Sequence, residues 1–124
     1  MESSYKIGDG IEIETQYGNY ILTIREVAPV TYEGRKVIII RYRYRNTSYK
    51  GTLLINQNDF KVYDSENKVC EFCELCSKKA LPIKKGELSD GQVAYYINDP
   101  YKKAKLVYDE NCNVSDDPVI ELEW

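Results

Sequence analysis

The chain has 124 residues, of which 17 are basic and 20 acidic, and its formal charge of −3 argues against the basic surface that nucleic-acid-binding domains carry. It contains no histidine, which excludes His-containing catalytic triads and removes the commonest metal ligand. The longest apolar run, Val37–Ile40, is far shorter than the ~18 residues of a membrane-spanning helix. We therefore expect a non-enzymatic protein with no catalytic residues, no cofactor, no nucleic-acid partner and no membrane-spanning segment.

The composition indicates strands rather than helices. Tyrosine contributes 12 residues, Val and Ile are abundant, and Ala is scarce, which is the residue usage of β-sheets. About nine short runs follow one another at intervals of roughly 8 to 12 residues, as in a β-sandwich or barrel. The sequence predicts a single all-β domain over residues 11–124, preceded by a flexible leader at residues 1–10.

The first predicted strands form a hairpin. IEIE at Ile11–Glu14 alternates apolar and acidic residues, and a second alternating run, YILTIREV, ends at Val27. The residues Tyr-Gly-Asn at 17–19 form the turn between them. The next run, VIIIRYRYRN at 37–46, has the strongest strand pattern of the chain and is predicted to be central in its sheet.

The period of two in this central strand separates two faces. The face predicted to pack in the core carries Ile38, Ile40, Tyr42 and Tyr44. The inward residues of the last strand that are predicted to pack against it are Ile120, Leu122 and Trp124. The opposite face begins apolar and then carries Arg41, Arg43 and Arg45.

The second half of the chain continues the strand pattern. DFKVYD at Asp59–Asp64 is predicted to pair with KVCEF as a hairpin, across a tight polar turn at 65–67. The cysteine-rich segment that follows, up to Lys79, has no periodicity and is predicted to be a loop at one end of the fold. Three further strands are predicted at 92–98, 104–109 and 119–124.

Three stretches, taken in order, resemble a known family. They are VIIIRYRYRNTS, DFKVYDSENK and LPIKKGELSDGQVAYYINDPYKKAKLVYD. They resemble the telokin-like immunoglobulin-fold domain of uncharacterised bacterial cell-surface lipoproteins, whose relatives include a mycobacterial immunoprotective secreted antigen. The similarity spans roughly Ile7 to Trp124. It implies an immunoglobulin-like antiparallel β-sandwich, and it brings no established catalytic residues.

The resemblance also implies a location and a type of partner. We expect an extracellular or cell-envelope module that contacts a protein or cell-surface partner, or serves as a spacer. The opening residues MESSYKIGDG have neither the basic start nor the apolar stretch of an export signal. Two alternatives follow: the protein is cytoplasmic, or a secretion signal, with a lipid anchor if there is one, lies upstream of Met1.

Four cysteines form one group of candidate residues. Cys70, Cys73 and Cys76 have the spacing C-x2-C-x2-C, and Cys112 follows later in the chain. Four thiols suit two disulfides, one tetrahedral metal site or an iron–sulfur site, and the spacing does not choose among them. The cluster CEFCELC departs from the family pattern, so the resemblance assigns it no role.

Disulfides are the expected state of these cysteines in an exported sandwich. We expect Cys112 to bridge to one member of the cluster, which would close a loop of roughly 40 residues and stabilise the fold by ~4 kcal/mol. Two alternatives stay open at this point: reduced structural thiols, and a small-ligand or metal-binding domain centred on Cys70, Cys73, Cys76 and Cys112.

Arg41, Arg43 and Arg45 form the second group of candidate residues. Neighbours in this row are about 6.5–7 Å apart along the strand, so the like charges repel. We expect acids on neighbouring strands to neutralise the row, and the acids available are Glu12, Glu14, Glu121 and Glu123. The alternative is an anion-binding stripe, in which the guanidinium groups bind phosphate or carboxylate groups of an acidic partner.

Overall fold

The computed structural model describes residues 4–109 and 117–124. The strands in these residues are β1 (Ser4–Lys6), β2 (Gly10–Thr15), β3 (Gly18–Tyr32), β4 (Arg35–Asn46), β5 (Phe60–Asp64), β6 (Glu71–Phe72), β7 (Leu88–Tyr96), β8 (Lys103–Tyr108) and β9 (Val119–Glu123). Two short 3-10 turns, Gln57–Asp59 and Glu74–Cys76, precede β5 and follow β6.

The strands form two sheets that pack face to face. One sheet has five strands in the order β2-β3-β4-β7-β6, and the other has four in the order β1-β9-β8-β5. All the pairings are antiparallel except that of β1 with β9. One cluster of buried side chains draws residues from both sheets. The predicted all-β, immunoglobulin-like sandwich is confirmed.

Strand β4 lies in the middle of the five-stranded sheet, between β3 and β7. Its predicted core face is confirmed, because the four inward side chains are at most 1% exposed: Ile38, Ile40, Tyr42 and Tyr44. From the opposite sheet, Ile120 and Leu122 are equally buried. Trp124 is half-buried and packs at the margin of the same cluster. The alternation of apolar residues in the sequence thus correctly predicts which face of each of these two strands is buried.

The N-terminal residues differ from the flexible leader that the sequence predicts. Ser4–Lys6 form β1, which runs parallel to β9 and pairs Tyr5 with Ile120. The side chains of Tyr5 and Ile7 pack against the main core. Contact with the core gives this polar segment a position that its own short pattern does not predict.

The predicted hairpin of Asp59–Asp64 with KVCEF forms only next to its turn. A bridge joins Tyr63 to Val69, and backbone hydrogen bonds run from Asp64 N to Lys68 O and from Cys70 N to Val62 O, whereas the full length of β5 pairs with β8. The turn itself forms, because the Asp64 carboxylate accepts hydrogen bonds from the backbone N–H groups of Glu66 and Lys68, each at 2.9 Å. Beyond the bridge, the chain leaves β5 and crosses to the other sheet as β6, next to β7. The cysteine-rich segment therefore lies along the edge of the five-stranded sheet.

Candidate functional site

The outer face of the five-stranded sheet carries the arginine row and two of the four candidate cysteines, Cys73 and Cys76. The strand register places Arg41, Arg43 and Arg45 each between one residue of β3 and one of β7. The triplets across the sheet are Glu26–Arg41–Gln92, Thr23–Arg43–Asp90 and Ile21–Arg45–Leu88. The arginine row thus exists as predicted, and its three members have different neighbours.

Arg41 is held from both sides. Its Nη1 donates a hydrogen bond to Glu26 Oε2 at 2.7 Å, and its Nε donates to Gln92 Oε1 at 3.2 Å. Both members of the ion pair are about half exposed, so solvent screening leaves the pair worth at most about 1 kcal/mol. The two contacts fix the direction of the guanidinium group along the sheet.

Arg43 forms a two-point contact with Asp90. Its Nε donates to Asp90 Oδ1 at 2.7 Å, and its Nη2 donates to Oδ2 at 3.1 Å. This hydrogen bonding holds the pKa of Asp90 below its usual value and raises the pKa of Arg43. The fork of donors on Arg43 is thereby occupied by a group of the same protein.

The acids predicted to neutralise the row are the wrong ones. Glu12 and Glu14 lie on β2, which β3 separates from β4, and Glu121 and Glu123 lie on β9 in the other sheet. The acids that contact the row are Glu26 and Asp90. The reason is that the period of two assigns faces and leaves the order of strands undetermined.

A β-bulge in β3 places Glu26 opposite Arg41. The register passes from Ile24, which faces Tyr42, directly to Glu26, which faces Arg41, so Arg25 is an extra residue. An unbroken ladder would have set Arg25 opposite Arg41, with two like charges in contact. Uninterrupted alternation along the sequence instead places Glu26 on the core face, so the pattern misses this partner.

Arg45 differs from the other two arginines. It is exposed, and it makes no ion pair with another residue that the structure describes. Its neighbours across the sheet are apolar: Ile21 is half-buried and Leu88 is 48% exposed. Among the described residues, this end of the row therefore presents a guanidinium group that has no ion partner and lies between two aliphatic side chains.

A shallow hollow of about 460 Å³ lies beside Arg41 and Asp90. Its charged and polar lining consists of Arg25, Glu26, Arg41, Lys78, Asp90 and Gln92. A larger hollow, of about 580 Å³, lies between β1, the turn after β5, and strands β8 and β9. The larger hollow is lined by none of the candidate residues.

The three described cysteines of the cluster are divided between the two faces of the sheet. Cys70 packs against the main core between the sheets. Cys73 and Cys76 belong to a second, small cluster formed with Val37 and Ala94 on the outer face. The segment from Cys70 to Cys76 thus wraps around the sheet edge, and Cys70 is directed away from the other two thiols.

The 3-10 turn Glu74–Cys76 holds the outer pair of cysteines against β7. The Cys73 N–H donates to the Ala94 carbonyl at 2.7 Å, and the Gln92 Nε2 donates to the Cys76 carbonyl at 2.7 Å. The Ser77 hydroxyl donates to the Cys73 carbonyl at 2.8 Å and accepts from the Ala94 N–H at 3.0 Å. Gln92 also contacts Arg41, so this turn and the arginine row share one polar network.

The sulfur of Cys73 lies in a distinctive environment. Burial opposes its ionisation, but hydrogen bonds from the Tyr96 hydroxyl, the Cys76 thiol and nearby backbone N–H groups outweigh that effect and lower the pKa of Cys73. The same hydrogen bond raises the pKa of Tyr96 to about 12. The Arg35 guanidinium lies 3.7 Å from the centre of the Tyr96 ring. Burial raises the pKa of Cys70, the inner thiol, to about 11.

The sequence pattern does not identify Tyr96 as a neighbour of Cys73. Tyr96 falls in a run of alternating strand residues with no mark of a thiol contact. Within residues 4–109 and 117–124, no group of three or more His, Cys, Asp or Glu side chains is arranged to hold a metal ion. Cys70, Cys73 and Cys76 are not in disulfide bonds. Cys112, and the bridge predicted for it, lie outside the described residues.

Within the described part of the chain, no helix is long and apolar enough to cross a membrane. Comparison with known proteins finds no matching family model and no matching curated protein sequence. Among solved structures, the chain is similar to MPT63, a secreted protein from Mycobacterium tuberculosis, with a TM-score of 0.73 and 10% sequence identity. The alignment covers 100% of this chain and 98% of MPT63, so the likeness extends over the whole fold.

Proposed function

We propose that this protein is a non-catalytic β-sandwich module that acts outside the cytoplasm by contacting another macromolecule. Two considerations support this. A protein with the same fold over its whole length is described as secreted. The outer face of the five-stranded sheet is also charged. Next to its exposed ion pairs, it offers a surface that a partner can contact.

The observation that carries the proposal is the environment of Arg45. A cation with no ion partner among the described residues, set between Ile21 and Leu88, combines a charged donor with apolar area that a partner can cover. Arginine is enriched at the energetic centres of protein interfaces because its planar fork binds carboxylates and its stem packs on apolar groups. We infer that the partner presents a carboxylate or phosphate group beside an apolar group.

We also propose that this protein is one of the telokin-like domains of cell-surface lipoproteins, with a lipid anchor upstream. This assignment rests on the three sequence stretches that resemble that family. A rival function, a small-ligand or metal-binding domain centred on the cysteines, has less support. Cys70 packs into the main core while Cys73 and Cys76 lie on the outer face.

Location is tested with the natural gene in its own cells. Antibodies raised against the domain are used to compare culture medium, intact cells treated with protease, and the cytosol. We expect the protein in the medium, or on cells in a protease-sensitive form. Labelling with a fatty-acid analogue then tests the lipid anchor. Protein confined to the cytosol would contradict the proposal.

The contact surface is tested by site-specific photo-crosslinking on intact cells. A photoreactive residue is placed at Leu88 on the outer face of one sheet, and at Lys61 on the exposed side of the other sheet as a matched control. We expect one crosslinked partner from position 88 only, and its loss when Arg45→Glu is added. Equal crosslinking from both positions, or none from position 88, would count against this surface.

A further inference from the structure

We propose that Cys73 and Cys76 form a thiol–disulfide exchange site that reacts with low-molecular-weight disulfides. Cys76 receives the incoming group, and Cys73 displaces it by closing a Cys73–Cys76 disulfide. This inference does not depend on the proposed function, since it concerns a different set of side chains.

The backbone places Cys73 and Cys76 close to each other on the outer face of the sheet. Cys73 precedes the 3-10 turn and Cys76 is its last residue. The two are residues i and i+3, positions whose Cα atoms in a tight turn lie within about 7 Å. Disulfides span Cα separations of about 4.4–6.8 Å, so residues at these positions are close enough to be linked. Both residues pack in the outer cluster with Val37 and Ala94, and the neighbouring Cys76 side chain helps to lower the pKa of Cys73. Closure therefore requires rotation of side chains and little movement of the chain.

The turn is fixed to the sheet at both ends. Cys73 pairs with Ala94 through its backbone N–H, and the Gln92 amide holds the carbonyl of Cys76. Ser77 bonds both to Cys73 and to Ala94. On the two cysteines, these contacts involve only backbone atoms, so they do not occupy either sulfur atom.

The two thiols have different access to solvent. Cys73 is 1% exposed, whereas Cys76 is only partly buried. A disulfide in solution can reach Cys76 first. Cys73 is suited to the second step, because the Tyr96 hydroxyl and the Cys76 side chain favour its thiolate. Cys70 takes no part, since it packs into the core on the other side of the sheet.

The exchange balances as follows. Cys73 starts as the thiolate and accepts the proton of Cys76. The Cys76 thiolate then attacks a small disulfide R–S–S–R. A mixed disulfide forms, and the first R–S⁻ leaves. Cys73 then gives its proton to this leaving group, and its thiolate attacks the sulfur of Cys76. The second R–S⁻ leaves and takes a proton from water. The protein is oxidised by two electrons, and one small disulfide is reduced to two thiols.

The experiment uses the whole chain, reduced and then equilibrated with oxidised glutathione. Digestion with trypsin and a Glu-specific protease places each cysteine in its own fragment: VCE for Cys70, FCE for Cys73, LCSK for Cys76 and NCNVSDDPVIE for Cys112. We expect FCE linked to LCSK as the main crosslinked product. A main product in which Cys112 or Cys70 is linked to either fragment would overturn the proposal, as would recovery of FCE and LCSK unlinked.

Single variants test the order of the steps. Cys73→Ser should accumulate a stable mixed disulfide with glutathione on Cys76, because the resolving thiol is missing. Cys76→Ser should be modified at Cys73 at least about ten-fold more slowly, since exchange rates depend on access to the attacking sulfur. Cys70→Ser is the matched control from the same segment and should still form the FCE–LCSK link. Equal rates for the Cys73→Ser and Cys76→Ser variants would contradict the assigned roles.

A second measurement does not depend on oxidation. A trivalent arsenical such as phenylarsine oxide binds two neighbouring thiols together. The reduced protein and its Cys70→Ser variant should each bind one equivalent tightly. Cys73→Ser and Cys76→Ser should lose that binding, and retention by either of them would show that the two thiols are not a pair.

Discussion

The hydroxyl groups of Tyr20 and Tyr108 are 2.6 Å apart and form a hydrogen bond that joins the two sheets. Tyr20 lies on β3 and Tyr108 on β8, and both side chains are completely buried. Their rings also meet edge to face at 6.5 Å between centroids. Tyr95 spans the sandwich in the same way, since its hydroxyl donates to the carbonyl of Phe60 at 3.3 Å. The core thus combines aliphatic packing with paired phenol groups.

The coupling between Tyr20 and Tyr108 can be measured with a double-mutant cycle. Each change to Phe removes one hydroxyl and keeps the ring, so each should lower the free energy of unfolding by about 1 kcal/mol. The double variant should lose less free energy of unfolding than the two single variants lose in total. The reason is that the second change removes a hydroxyl whose hydrogen bond to this partner is already gone. Urea denaturation gives the free energies. Strict additivity would show that the hydrogen bond contributes nothing of its own.

The two faces of β4 should respond differently to truncation. Ile40 is completely buried between the sheets, and Ile40→Ala should cost ~2–5 kcal/mol through lost transfer energy and the cavity left behind. Ile39, the preceding residue, is only half-buried on the outer face, and Ile39→Ala is the matched control with a smaller expected loss. Chemical denaturation compares the two. Surface substitutions usually cost less than roughly 0.5 kcal/mol, and a loss that small for Ile40→Ala would contradict the face assignment.

Side-chain alternation predicts this fold well where a strand is regular and one face is buried. The alternation along β4 and β9 identifies the core residues, because a shift of one position would move every apolar side chain to solvent. The same pattern carries no information about which strands become neighbours. It therefore does not place β5 beside β8, and it does not show that the short segment around Tyr5 joins the edge of β9.

The candidate site is less predictable for the same reason. The arginine row follows from the period of β4, but its partners Glu26 and Asp90 depend on strand order and on one inserted residue. The spacing of the cysteines likewise does not show that the chain turns around the sheet edge after Cys70. That turn separates Cys70 from Cys73, although the two are only three positions apart in the sequence.

The bulge at Arg25 gives a sharp test of the register. Deleting Arg25 would leave Ile24 opposite Tyr42 and Glu26 opposite Arg41, so both halves of β3 would keep their pairing. We expect this deletion variant to fold and unfold cooperatively, with a stability loss of a few kcal/mol at most. Deleting Thr23, two positions earlier, would shift a regular part of the ladder and turn core side chains outward. Cooperative unfolding that survives both deletions equally would disprove the assigned bulge.

The ion pair of Arg43 with Asp90 should make a small, pH-dependent contribution to stability. The pKa of Asp90 is lowered in the folded protein, so this contribution is present above the unfolded value of about 3.9 and is lost as the pH falls below it. Both side chains are more than a third exposed, so solvent screening keeps the effect small.

Asp90→Asn should therefore be slightly less stable than the parent at neutral pH and equal to it in strong acid. Thermal unfolding over a pH series measures the difference between the two. Glu14→Gln is the control, since Glu14 is an exposed acid of the same sheet with no ion pair to a described residue. A difference between Asp90→Asn and the parent that does not change with pH would rule out this origin.

The hydroxyl of Tyr96 should set the pH range in which the Cys73–Cys76 disulfide closes. Because it hydrogen-bonds to the Cys73 sulfur and favours the thiolate, Tyr96→Phe should raise the pKa of Cys73. The rate of closure with oxidised glutathione depends on the thiolate fraction, so its pH profile should move to higher pH. Tyr95→Phe is the matched control, since Tyr95 is the adjacent residue and its hydroxyl bonds to Phe60 inside the core. A profile that moves equally in both variants, or in neither, would remove Tyr96 from this role.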